Sequence, residues 1–222
     1  MVSQTETRLN AFDVLYERRS TRTFVKGRQI PEDIAGKILD SARYAPPTPT
    51  GEYPWRIMAV KDDSTKQLIA ACAEEVARTM FGGSYESFKE HLWYMPEDPR
   101  LRVAEYSITG ELWRYPEDCD MLTIPCLLKS DWSCGLGGIL RTPEQVAPYL
   151  GFASQNMWLT GAVYGVGAGY NAMPQVDVRR REIAASYLGV PHSWDPTGGF
   201  AFGYSPNVRA SGPSRPPLEA VV

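Results

Sequence analysis

The chain has 222 residues, of which 43% are hydrophobic and 22% charged, and its formal net charge is −3. These values describe an ordinary globular protein with one sizeable domain, and exclude a fibre or a disordered chain. They show no overall basic excess of the kind that nucleic-acid and anionic-membrane surfaces carry, so neither partner is expected.

No apolar run approaches the ~20 residues of a membrane-spanning helix. The opening stretch MVSQTETRLNAFDVLYERRS carries mixed charge, without an apolar core followed by a small-residue cleavage site. It does not read as a secretory signal, and a cytoplasmic protein is expected. The cysteines Cys72, Cys119, Cys126 and Cys134 form no CxxC pair, and His91 and His192 are the only histidines. They read as reduced structural thiols, and no metal site is expected.

In chain order, Phe12, Leu15 and Tyr16 sit at helical spacing and predict a helix over 11–17. An arginine-rich turn follows. Pro31, the acidic pair Glu32 and Asp33, and the face formed by Ile34, Ile38 and Ala42 predict a second helix over 31–44. Pro46, Pro47 and Pro49 stop it. The short apolar run at 55–60, with Ile57 and Val60, predicts a strand, and a helix over 65–80 comes next. Residues 81–120 show little periodicity and hold many aromatic and charged residues, so they read as a lid-like insertion. A strand is expected at 121–129, a long helix at 143–165, and a tight junction into a strand at GVGAGY (165–170). A helix over 180–188 ends at Gly189 and Pro191, a last core strand covers 198–204, and 205–222 is an extended proline-rich arm. Helices and strands are intermixed without βαβ alternation or an early glycine fingerprint. The expectation is therefore a single α+β domain over 1–222, with a mainly antiparallel sheet flanked by helices, rather than a dinucleotide-binding fold. Apolar residues on more than one face of the long helix predict a homodimer through it.

Chemistry concentrates first in ERRSTRTF. Arg18, Arg19 and Arg22 fall within five residues and repel one another unless an anion or water separates them. Guanidinium groups suit planar, bidentate recognition of phosphate, and Ser20 adds a hydroxyl. In APPTPTGEYPWR the consecutive prolines stiffen the backbone, so that Thr48 can be presented rigidly to a planar ligand. The tail PSRPPLEAVV carries Arg215 and an apolar end that suits docking. No G-x-S-x-G, H-E-x-x-H or Walker A sequence occurs, and no carboxylate pair stands out. A ligand site without acid–base machinery points to a cofactor that carries the reaction.

These segments arrive in the order seen in the nitroreductase-like FMN flavoproteins. ERRSTRTF resembles the opening R-R-S-x-R-x-F of that family, and APPTPTGEYPWRIMAV its A-P-S-x-x-N-x-Q-P-W-x-F-x-V segment. GFASQNMWLTGAVYGVGAGY resembles its long helix, YLGVPHSWDPTGGFAFGYSP its L-G-I-P…G-Y-P block, and SRPPLEAVV its closing R-K-P-L-E-E-V-V. The resemblance implies that Arg18, Arg19, Ser20, Thr21 and Arg22 contact the FMN phosphate and the pyrimidine side of the ring, with Arg215 closing from the tail. Pro46, Pro47 and Thr48 would border the isoalloxazine. Tyr170, Asn171, Ala172, Met173 and Gln175 would lie near the flavin N5. It also implies an intertwined homodimer in which both subunits line each flavin.

The activity so implied is an FMN-dependent oxidoreductase that passes hydride or electrons between NAD(P)H and a small, aromatic organic substrate (nitro, quinone, enone or halo-aromatic). The alternative is a protein that binds, stores or modifies flavin without an external substrate. Tyr85, Trp93, Tyr94, Tyr106 and Trp113 in the 81–120 segment are candidates for sandwiching a planar substrate. The loop asparagine and glutamine of the family pattern are absent from 45–60, and no glutamate–glycine pair occurs in NAMPQVD.

Overall fold

The computed structural model of the chain describes residues 11–49, 51–81, 86, 89–90, 97–129, 143–172, 178–206, 217 and 219. Its helices are α1 (Ala11–Glu17), α2 (Glu32–Ser41, continued by a 3-10 turn Ala42–Tyr44), α3 (Asp63–Phe81), α4 (Glu97–Ile108), α5 (Pro143–Val163) and α6 (Val178–Tyr187). They flank a sheet of β1 (Trp55–Val60), β2 (Met121–Leu128), β3 (Gly167–Asn171), β4 (Trp194–Pro196) and β5 (Gly199–Gly203). The sheet runs β1-β2-β5-β3, with β4 pairing the other end of β2. All of these pairings are antiparallel, as the α+β reading expects.

The central strand is MLTIPCLL, apolar at nearly every position because both of its faces are covered. Side chains alternate across a strand. Met121 and Leu127 therefore join Ile38, Leu150, Met157, Phe200 and Phe202 on the α2/α5 side. Leu122, Ile124 and Cys126 join Ile69 and Tyr115 on the α3 side. Pro125 is unusual in a central strand because it cannot donate to the ladder. Its carbonyl accepts from the Thr197 amide at 2.9 Å, which places its missing N–H at the break where β4 gives way to β5. The three-residue strand β4 was not expected from the sequence.

Local chemistry explains the ends of the helices. Asp62 precedes α3 and accepts from the Thr65 amide at 2.8 Å and from the hydroxyls of Ser64 and Thr65, each at 2.7 Å. These bonds, led by that from Ser64, hold its carboxyl down at about 2. At the far end of α5, Gly165 adopts φ 69°, and the Val166 amide returns to the Gly161 carbonyl at 2.8 Å.

From residue 97 onward, the 81–120 segment packs against α3 and the residues around it. Ala104 and Ser107 on α4 are buried. The Trp113 ring stacks on Phe81 with centroids 6.4 Å apart, and the buried Tyr115 packs beside Phe24. Arg114 is clamped between Glu74 of α3 and Glu117. Gly110 (φ 81°) crosses so close that a Cβ there would lie 2.4 Å from the Glu74 carbonyl oxygen. This packing uses single aromatics, an ion-pair cluster and a glycine crossing, none of which leaves the aliphatic stripe that periodicity detects.

Candidate cofactor site

The arginine-rich turn is positioned from both of its ends. The Arg18 amide donates to the Val14 carbonyl at 3.0 Å, closing α1. The chain then extends beside β3, where Ser20 bridges to Ala168 in parallel and the Thr21 amide donates to the Ala168 carbonyl at 2.8 Å. That approach depends on the alternating glycines. A Cβ on Gly167 would stand 2.5 Å from the Thr21 hydroxyl oxygen, and one on Gly169 would stand 2.1 Å from the Thr21 carbonyl oxygen. The GVGAGY pattern thus allows the arginine segment to lie against the sheet.

The result is a cavity of about 830 Å³, within the ~300–1,000 Å³ usual for small-molecule sites. Arg18, Arg19, Ser20, Thr21, Arg22 and Arg28 line it together with Trp158, Ala162, Val166, Gly167, Ala168 and Tyr204. Four arginines line this space and, among the described residues, Glu17 is the only carboxylate there, so the lining is positive in a chain whose net charge is negative. The Arg18 guanidinium lies 4.3 Å from the centre of the Trp158 ring, and that of Arg28 lies 3.9 Å from the Tyr204 ring. Arg19 donates through Nη1 to the Tyr16 and Arg18 carbonyls, while its buried Nε finds no partner among the described residues. Burial pushes the Tyr115 phenol well above its usual range, and the nearby Arg22 charge acts in the opposite direction. The arrangement can hold a compact, multiply charged anion.

The five residues expected from RRSTR are thus brought together. Arg28, Trp158 and Tyr204 were not singled out from the sequence, although the turn signal at Gly27 precedes the first and the other two lie inside segments that carry the family resemblance. Pro46 and Pro47 are exposed, and Thr48 is buried in a tight turn, its amide donating to Glu52 at 3.0 Å. None of the three lines the arginine cavity. Asn171 lies three residues along β3 from Ala168, about 10 Å at the usual strand rise. The Tyr170 hydroxyl donates to the Thr197 carbonyl at 2.7 Å, its ring packing over Gly198 and Phe200. The buried Asn171 side chain donates to the Trp113 carbonyl at 2.9 Å, and Ala172 beside it is half-buried. Tyr106 is exposed on α4, whereas Trp113 is engaged with Phe81. Met173, Gln175, Arg215, Tyr85, Trp93 and Tyr94 lie outside the described residues. Among the described residues no group of His, Cys, Asp and Glu is placed to hold a metal, and no helix is long and apolar enough to cross a membrane.

Residues 15–111 match the model of the Nitroreductase family. A search of curated protein sequences gave no match. Among solved structures, the chain is similar to NfrA2 of B. megaterium, with TM-score 0.68 and 15% identity over 95% of this chain and 72% of that one. It is also similar to a protein named NADH dehydrogenase/NAD(P)H nitroreductase from Bacteroides thetaiotaomicron, with TM-score 0.62 and 20% identity over 96% of both chains. A third is a protein named as a nitroreductase in complex with FMN from Desulfovibrio desulfuricans, with TM-score 0.65 and 16% identity over 97% and 96% of the two chains. At these identities the likeness establishes a nitroreductase-like fold.

Proposed function

We propose, from the premise of a nitroreductase-like fold with a Nitroreductase-family match over residues 15–111, that this chain is an FMN-dependent oxidoreductase using NAD(P)H and a small aromatic substrate. The observation that carries the reading is the arginine cavity. Its four arginines, the Ser20 and Thr21 side chains and the Nε of Arg19, which has no partner among the described residues, suit the phosphate of a mononucleotide. Bound FMN supplies hydride or electron transfer. In this reading Arg18, Arg19 and Arg22 neutralise and orient the phosphate, Arg215 closes on it, and β3 leads from that anchor to residues 170–175 beside the ring. NAD(P)H as donor is supported by the names of the structural neighbours, and a nitro, quinone, enone or halo-aromatic acceptor by the family resemblance.

The active unit in this reading is a homodimer. Phe12, Leu15 and Tyr16 on α1 are exposed, as are Phe152 and Val163 on α5, and a monomer leaves this apolar surface in water. With both protomers lining each flavin, the 46–48 turn borders the ring held by the other copy.

The test is reconstitution followed by turnover. Protein incubated with FMN and desalted should stay yellow and oxidise NADH or NADPH in the presence of a nitro-aromatic or quinone. Protein that remains colourless overturns the cofactor reading. Bound FMN with no turnover of any nitro, quinone, enone or halo-aromatic acceptor would instead favour a flavin-binding or flavin-modifying role.

A further inference from the structure

We propose that Arg28, Tyr204 and Trp158 form a phosphate-reading extension of the arginine cavity and set the discrimination between a phosphorylated and an unphosphorylated flavin. The inference rests on the FMN reading above and goes beyond the RRSTR segment on which that reading stands.

Arg28 is put in place by a turn of its own. The Val25 amide donates to the Tyr204 carbonyl at 2.8 Å, and the Arg28 amide donates to the Val25 carbonyl at 3.1 Å. Between them Gly27 takes φ 76°, the left-handed value that a type II turn requires of its third residue. The turn lays the Arg28 guanidinium over the Tyr204 ring at 3.9 Å. A second stack lines the same cavity: the Arg18 guanidinium lies 4.3 Å from Trp158, whose ring meets Phe200 edge-on at 5.4 Å and 72°.

Stacking and ion pairing hold a guanidinium with opposite consequences. A carboxylate partner occupies the in-plane N–H donors and cancels the charge. An aromatic face fixes the plane of the group and leaves both the donors and the charge for an incoming anion. Arg43, Arg78, Arg114 and Arg181, elsewhere in the chain, are each paired with a carboxylate. Arg28 has no carboxylate partner among the described residues and rests on a ring inside the cavity. Tyr204 is therefore a positioning residue for Arg28, Trp158 fixes the plane of the Arg18 guanidinium, and Arg28 is a further phosphate ligand beside the RRSTR arginines.

Equilibrium titrations with FMN and with riboflavin, which lacks the phosphate, separate this role from a structural one. Arg28→Ala and Trp158→Leu should each weaken FMN binding about tenfold while leaving riboflavin affinity unchanged, and Trp158→Phe should retain most of the FMN affinity. Parallel loss of both affinities, or undiminished FMN binding, would overturn the proposal. Wild-type protein that binds neither flavin removes the FMN reading and this inference with it. Wild-type protein that binds FMN, with variants of unshifted selectivity, removes the inference alone. Arg28 is exposed, so its variant carries the test if Trp158→Leu does not fold.

Discussion

At the scale of single residues, the chain separates side chains held for a ligand from side chains held by burial. Arg18 belongs to the first group, and its replacement by alanine removes one charge-assisted contact to the phosphate. FMN affinity should fall by about 1.5–3 kcal/mol, read as the shift in dissociation constant between wild type and Arg18→Ala. Unchanged affinity would mean that the cavity does not hold the phosphate. Cys119 and Cys126 belong to the second group. Burial pushes their thiols up to about 12 and about 11, so at pH 8 almost no thiolate is available for reaction. Mass spectrometry after treatment with iodoacetamide should find neither alkylated in the native protein and both alkylated in urea. Native-state labelling would show that these strands open more readily than their burial implies.

At the scale of elements, two glycines with opposite surroundings test how the arginine segment is seated. A Cβ on Gly169 has the Thr21 carbonyl oxygen 2.1 Å away, so Gly169→Ala must push the 20–22 segment off β3. The expected cost is ~1–3 kcal/mol in urea unfolding, together with weakened flavin binding. Gly36, inside α2, has nothing within 4 Å of its would-be Cβ. Gly36→Ala should stabilise by ~0.5–1 kcal/mol, because alanine costs less backbone entropy in a helix. Reversal of either sign would contradict the packing described. The cap of α3 has a pH signature. Asp62 is held near 2, below its ordinary 3.8, so the fold favours its carboxylate. Its contribution is complete above pH 3.8 and is lost as the pH falls toward 2. Asp62→Asn should therefore lower Tm at pH 6 and bring less change at pH 2, measured by thermal melts across that window.

For the whole molecule, α1 and α5 expose Phe12, Leu15, Tyr16, Phe152 and Val163, an apolar surface that the proposed dimer would cover. Sedimentation equilibrium at micromolar concentration should return a dimer. Introducing charge with Phe12→Glu and Phe152→Glu should shift it toward monomer and lower flavin retention, since both protomers are proposed to line each site. A monomer that binds FMN normally would dissociate assembly from function.

How much could be read beforehand follows from the range of the forces involved. The strands at 55–60 and 121–128, the helix begun near Pro31 and the helix over 143–163 are visible locally, because turn chemistry and hydrophobic period act over a few residues. The RRSTR cluster is equally local: like charges crowded in five residues repel one another unless an anion or water separates them, wherever the chain folds. Local pattern did not reveal that Trp113 stacks on Phe81 and accepts from Asn171 through its carbonyl, since those contacts span 32 and 58 positions. Nor did it place Arg28, Trp158 and Tyr204 around the same space as Arg18. That convergence is decided by the pairing of β3 with β5 and by glycines that let residues 20–22 lie on the sheet. Residue spacing carries the kind of ligand, because charge and shape belong to side chains. Which side chains share the cavity is a property of sheet register, which exists only once distant segments have met.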